Sequence, residues 1–504
     1  MQFEYTVNSL DKISADAILV FAFQRDKEKA QKFHALSGLK NVDEILNGSI
    51  SKVLEIAKFT GKRGESFSYF PENKFLVKRI IVLGLGKKSE FIADDLRRAV
   101  GSITSKMKKK IVSIALVLPS EDETSLSAFL AAQMVGEGVL LGSYEFNKYK
   151  SKDDKGDKEL ATVIISGKAS TEVQSGIKKA QLYCDATILA RDLVNEQAAV
   201  ATPTYLADLA MNIAKKDPKH ISCKVFNKEE AGKLGMEAFL GIARAAGGNV
   251  EPKFIFLEYT PDKSSKSEKL AIVGKGITFD SGGINVKGGD HMQDMKMDMA
   301  GAAIVLSVFS VISEIKPAFT VIGVVAATPN LISATSLVPG DVVKAMNGKT
   351  IEILDTDAEG RVTLADSLSF AVKEGATKIL DFATLTGACM VALGNDITGL
   401  FSNNKDLTEE IKSAAFEAGE KMWELPLEKE YKKMNKSDVA DISNIPNSRY
   451  GGAITAALFL EEFIANKPWA HMDIAGPAFV SKATDIGPKG GTGHGVRTVL
   501  NLLS

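Results

Sequence analysis

The sequence has little cysteine: three residues in 504, Cys184, Cys223 and Cys389, far apart and odd in number. That leaves no disulfide framework and no CxxC zinc site, and it fits a reducing cytoplasm. Neither sign of charge is in excess, with 62 Lys and Arg against 63 Asp and Glu. A near-neutral chain offers no electrostatic reason to take nucleic acid or a membrane surface as its main partner. No apolar run is long enough to span a bilayer; the most apolar stretch, Ala302 to Ile312, is broken by Ser313-Glu314. The N-terminus, MQFEYTVNSLDK, lacks a basic start followed by an apolar core, so no signal peptide is expected. The nucleotide motifs fail as well. Gly84-Leu85-Gly86 is followed by Ser89 where GxGxxG needs glycine, and Gly348-Lys349-Thr350 has Val343 where a P-loop needs glycine.

What is present is an ordinary globular composition, 45% hydrophobic and 25% charged, in a chain too long for one domain. Ala17 to Phe21 and Arg79 to Gly84 read as buried strands, with helical patterns around 91–108 and 124–141. The polar run Lys148 to Lys158 reads as an exposed loop, and Ala161 to Ser166 as a strand. A helical pattern from Glu172 to Val194 follows. These features predict an N-terminal α/β domain over 1–168 and a larger domain over 169–504, with a connecting helix within 169–198. In the second, Phe254 to Tyr259, Leu270 to Val273, Thr320 to Ala326, Ile379 to Ala383 and Ala470 to Ile474 alternate with helical stretches. That pattern predicts a mixed, largely parallel sheet covered by helices.

Two stretches carry unusual charge. DTDAEGR (355–361) follows the strand-like run Lys349 to Leu354 and places three carboxylates and Arg361 in seven positions. Residues 271–303 run from an apolar strand, Leu270 to Val273, into a glycine-rich loop carrying Lys275, Asp280 and Lys287, and Asp298 opens the apolar helix from Ala300 onward. Each feature has an ordinary explanation alone. Asp298 could be a helix N-cap, the glycine pairs could be plain turns, the lysines surface charges and the acidic cluster a solvated loop. Together, four carboxylates and two lysines at the carboxyl ends of strands in an apolar domain call for compensating cations. Bridging carboxylates suit a pair of divalent metals. Of the five histidines, only His291 lies in either stretch, so the ligands are mainly oxygen. That set admits zinc, manganese, magnesium or cobalt.

The same residues resemble the leucine aminopeptidases, or cytosol aminopeptidases. The likeness lies in VGKGITFDSGG (273–283) with Lys287 and Asp298 after it, DTDAEGR, DFATLTGACMVALG (381–394), SDVADISN (437–444), RYGGAITAALFLEEF (449–463) and WAHMDIAGPA (469–478). It covers residues 170–504, with a weaker match at LLGSYEFNKYKS (140–151). The resemblance implies one metal held by Asp280, Asp357, Glu359 and the Asp357 carbonyl, and a second held by Lys275, Asp280, Asp298 and Glu359. Lys275 would bind as a neutral amine. Lys287 would polarise the scissile carbonyl, and Arg361, with Gly360 and Leu385, would hold a bicarbonate general base. Met295, Thr384, Gly387, Ala475 and Ala478 would line a pocket suited to Leu or Met. It further implies short peptides with a free N-terminus as substrates and a cytoplasmic homohexamer whose active sites face an inner cavity.

Two positions depart from the family pattern. Asp355 stands where the family signature has Asn, which either adds negative charge beside the metals or, pointing at solvent or capping a local turn, does no more than that. NEQAAVATP (195–203) replaces the usual NxPxNxxxP turn. Two other function classes stay open: a two-metal phosphoesterase, in which Lys275, Lys287 and Arg361 would clamp phosphate, and, as the family resemblance implies, a DNA-binding architectural role in addition to or instead of peptidase activity. The balanced charge speaks against the second.

Overall fold

The structure, a computed structural model, describes residues 1–25, 33–151, 159–262 and 268–504. The chain divides into two compact units, one of Met1–Asp185 with Lys482–Lys489, the other of Ala186–Ser481 with Gly490–Ser504. The division falls inside the helix Thr171–Asn195.

The first unit is built on a seven-stranded sheet whose middle strands are parallel. The strand Ala17–Gln24 is apolar at every position but the last and is covered on both faces. Alternate residues point to opposite layers. Leu19 and Phe21 join Leu96, Val100, Ala131 and Val135 on one side, while Ile18 and Val20 join Leu39, Val42 and Leu54 on the other. The expected helices are found at Ala93–Met107 and Ala128–Ser143, the second preceded by a separate turn at Glu121–Thr124. The expected strand at 161–166 is Thr162–Ser166. Of the expected loop Lys148 to Lys158, residues 152–158 lie outside the described residues.

The second unit carries an eight-stranded mixed sheet. Its centre is parallel: Thr320–Asn330, Lys269–Asp280, Lys378–Ala383 and Trp469–Asp473 lie side by side in that order. Antiparallel strands flank this group, Lys253–Tyr259 and then Ile221–Phe226 on one side, Thr398–Ser402 on the other. All five strands expected in this region are present, and several are longer than their apolar cores.

The largest extension corrects the reading of the glycine-rich segment as a loop. The strand that begins at Lys269 runs to Asp280, so Lys275 lies within it and only Asp280 lies at its end. The glycines there serve close packing: a Cβ on Gly274 would lie 2.3 Å from the Gly301 carbonyl oxygen. The helix Ala300–Phe309 thereby packs directly on the strand backbone.

DTDAEGR also sits differently from expectation. The run before it forms a three-residue strand, Thr350–Glu352, in a separate small sheet with Val342–Lys344 and Ile442–Ser443. Glu359 opens the helix Glu359–Lys373 rather than ending a strand. Asp366 anchors that helix: its carboxylate accepts the backbone N–H of Phe239 at 2.8 Å and of Met346 at 2.7 Å. Asp366→Ala would leave one buried and one part-buried donor unpaired, so a loss of roughly 2–4 kcal/mol is expected. The check is a urea midpoint that falls without a change in slope; an unchanged midpoint would show that the anchor is dispensable.

Candidate active site

The two charged stretches meet in the second unit. Lys275 is 4% exposed, and its side chain runs past Gly360, where a Cβ would lie 2.4 Å from the lysine Cε. The glycine of DTDAEGR is therefore the space through which the lysine reaches. Its Nζ lies 2.7 Å from Asp298 Oδ2 and 2.8 Å from Glu359 Oε1, and donates to the Thr384 carbonyl at 3.1 Å. Lys287 lies 2.9 Å from Asp280 Oδ2 and 2.6 Å from Asp357 Oδ1. One ligand atom from each of Asp280, Asp357 and Glu359 falls within 4.8 Å of the others.

Asp298 is not the N-cap of the helix Ala300–Phe309; Met299 takes that position, and Asp298 ends the short helical turn Met295–Met297. Asp298 turns inward, and its Oδ1 accepts the Thr384 hydroxyl at 2.6 Å. Asp280 Oδ1 accepts the Gly282 N–H and the Asn330 side-chain amide, both at 2.9 Å. The same Asn330 amide donates to the Thr356 carbonyl at 3.0 Å, joining the strand end to the DTDAEGR turn. Sequence reasoning missed Asn330, because a lone Asn after ATP has no motif to announce it. Asp355 caps a local turn: its Oδ1 accepts the Asp357 N–H at 2.9 Å.

The electrostatics show what this cluster demands. Asp280, Asp298, Asp355, Asp357 and Glu359 face the three cations Lys275, Lys287 and Arg361. Burial, with Asp280 adding to it, pushes the Glu359 carboxyl up against the pull of Lys275. Burial likewise raises Asp298, with Lys275 opposing. Burial alone would lower Lys275, but Asp298, Glu359 and Asp280 outweigh it and hold the ammonium well above its ordinary range. Lys287 is also raised, by Asp280 and Asp357 against burial. The cluster thus holds more negative charge than its own lysines neutralise. Glu359, 1% exposed, has an Oε2 with no hydrogen-bond partner. Oxygen donors in excess, one of them buried and unpartnered, fit divalent cations.

Family-wide sequence models match both parts of the chain. The cytosol aminopeptidase family catalytic domain matches residues 188–500, and its N-terminal domain matches residues 18–153. The chain belongs to the cytosol aminopeptidase family. It is a peptidase hydrolase of a metal-dependent family. It is 40% identical to a probable cytosol aminopeptidase of Alkaliphilus oremlandii, over 100% of this chain and 99% of that protein. It is 43% identical to one from Clostridium perfringens, over 92% and 93%. Among solved structures, a mutant of tomato leucine aminopeptidase is similar with a TM-score of 0.89 at 36% identity, over 100% of this chain and 96% of that one. The bottromycin maturation enzyme BotP in complex with Mn is similar with a TM-score of 0.84 at 30% identity, over 97% and 99%.

In this aminopeptidase-family chain the remaining candidates are placed around the cluster. Arg361 is buried, and its Nη1 donates to the Asn444 carbonyl at 2.9 Å, while its Nε has no hydrogen-bond partner. Burial lowers this guanidinium to about 10, with Glu359, Asp473 and Asp355 opposing. The backbone N–H groups of Leu385 and Ala475 both reach Asp473 Oδ1, at 3.2 and 3.1 Å, so Asp473 joins two candidate segments. Met295 touches Asp298 through the backbone, its carbonyl accepting the Asp298 N–H at 3.4 Å. Gly387 opens the helix Gly387–Leu393, and the Ala478 carbonyl accepts the Thr492 hydroxyl at 3.2 Å. Among the described residues, no hydrogen bond or ion pair links Gly387 or Ala478 to the carboxylate cluster.

Proposed function

We propose that this chain is a cytoplasmic two-metal aminopeptidase that releases N-terminal residues, preferably Leu- or Met-like, from short peptides. One observation carries the reading: the convergence of Asp280, Asp357 and Glu359, beside a Glu359 oxygen that no protein donor satisfies. Asp280, Asp357, Glu359 and the Asp357 carbonyl would hold one cation; Lys275, Asp280, Asp298 and Glu359 would hold the other. Mn or Zn suits these donors, and Mg or Co is compatible with them. Bound divalent cations supply Lewis acidity and make water a strong nucleophile near neutral pH.

The chain's own residues supply the rest. Lys287 keeps its charge between Asp280 and Asp357 and is the donor for the developing oxyanion. Lys275 is held protonated by its carboxylates, so ligation through Nζ must release that proton. Arg361, with Gly360 and Leu385, is assigned to hold bicarbonate; its buried Nε remains available to an anion. Met295, Thr384, Gly387, Ala475 and Ala478, small or apolar, are assigned to the side-chain pocket. The deciding experiment compares Leu-p-nitroanilide with p-nitrophenyl phosphate on metal-stripped and Mn-reconstituted protein. Turnover of the amide alone, and only with metal, supports the reading. Phosphatase activity without amidase activity would overturn it.

The assembly proposed is a homohexamer with active sites facing an interior cavity, which admits short peptides and excludes folded proteins. Light scattering showing a fully active monomer would contradict it.

Asp355 separates a structural role from an electrostatic one. An Asn at 355 can still accept the Asp357 N–H, so Asp355→Asn should fold normally. The substitution removes a charge that raises the Asp357 carboxyl. The expected result is an acidic limb of the pH–rate profile moved to lower pH and a metal lost faster to chelator, with affinity weaker by about tenfold. If neither quantity moves, Asp355 acts only as a turn cap.

A further inference from the structure

We infer that Thr384 is a positioning residue for the proposed metal centre, its hydroxyl fixing the Asp298 carboxylate and its carbonyl fixing the Lys275 side chain. The inference rests on the two-metal reading and adds a role to a residue so far assigned only to the substrate pocket. Thr384 follows the end of the strand Lys378–Ala383 and is buried. Its Oγ1 donates to Asp298 Oδ1 at 2.6 Å, which leaves Asp298 Oδ2 turned to Lys275 at 2.7 Å. Its carbonyl accepts from Lys275 Nζ at 3.1 Å. One residue thus touches both side chains that are proposed for one cation and are supplied by no other metal position.

The contrast with Asp280 explains why the hydroxyl matters. Asp280 Oδ1 is held by two donors, the Gly282 N–H and the Asn330 amide. Among the described residues, the Thr384 hydroxyl is the one neutral donor to the Asp298 carboxylate. Without it Asp298 loses the bond that sets its rotation, and its buried Oδ1 is left unsatisfied. Packing against a substrate needs only the bulk of the threonine; holding Asp298 needs only its oxygen. The two roles therefore come apart in substitutions. Thr384→Val keeps the bulk and removes the hydroxyl, and Thr384→Ser does the reverse.

The test is Mn²⁺ binding to the full-length protein, measured by competition with a chelator, with the equivalents and affinity of each recorded. Wild type should bind two equivalents. Thr384→Val should bind one of them about 10- to 100-fold more weakly, the range for groups that orient a metal ligand. Thr384→Ser should bind both as wild type does, yet shift selectivity between Leu- and Ala-p-nitroanilide through its missing methyl. If the valine variant fails to fold by circular dichroism, Thr384→Ala against Thr384→Ser differs in the hydroxyl alone and gives the same comparison. Wild-type affinity in the valine variant, or equal weakening in the alanine and serine variants, would overturn the inference while leaving the two-metal reading intact. A wild-type protein that binds none of Mn²⁺, Zn²⁺, Mg²⁺ or Co²⁺ would overturn both.

Discussion

Glu359→Ala is expected to lower turnover of Leu-p-nitroanilide by more than about a thousandfold, beyond the 10- to 100-fold typical of groups outside the ligand set. The two oxygens of Glu359 meet different surroundings: Oε1 faces Lys275 at 2.8 Å, and Oε2 has no hydrogen-bond partner. Removing it takes a donor from both proposed cations at once. It also leaves Lys275 with one close carboxylate, Asp298, in place of two. The protein should still fold, because Glu359 is the first residue of its helix and Asp366 anchors that helix further along. Bound-metal analysis should therefore show fewer than two equivalents in a folded protein. A variant that keeps two equivalents and wild-type turnover would refute the assignment of Glu359 as a shared ligand.

The chemistry of this site was more legible in the sequence than its geometry. Charge in an apolar context is a local property, so Lys275, Asp280, Lys287, Asp298, Asp357 and Glu359 stood out before any fold was known. The strand cores were equally plain, because buried parallel strands are nearly continuous apolar runs. What was hidden depended on partners distant in the chain. The glycines after Val273 looked like a loop, but Gly274 meets Gly301 across the helix–strand contact. Asp298 looked like a cap, but it answers Thr384, 86 residues away. Asn330 gave no signal because its function is to join Asp280 to Thr356, and neither neighbour is near it in sequence. Asp355 illustrates the limit from the other side: its departure from the family signature was visible, but its bond to the Asp357 N–H was one of two readings until the turn was seen.

Lys287→Met is expected to lower kcat by about 10²–10³-fold, the cost of removing one oxyanion donor from a preorganised site. The metal result should run opposite to that of Glu359→Ala. The Lys287 ammonium sits 2.9 Å from Asp280 Oδ2 and 2.6 Å from Asp357 Oδ1, so it competes with any cation for the oxygens proposed to bind one. Those carboxylates also hold the ammonium charged, against burial, so the competition persists across neutral pH. Methionine keeps much of the side chain's length and removes the charge. Two equivalents of Mn²⁺ should therefore remain, bound as tightly as in wild type or more so. Substrate binding should change less than turnover, because the donor is needed most when charge develops on the carbonyl oxygen. Wild-type kcat would show that Lys287 only neutralises the carboxylates. Loss of metal together with activity would show that it holds the ligand loop in place, and either result would remove it from the chemical step.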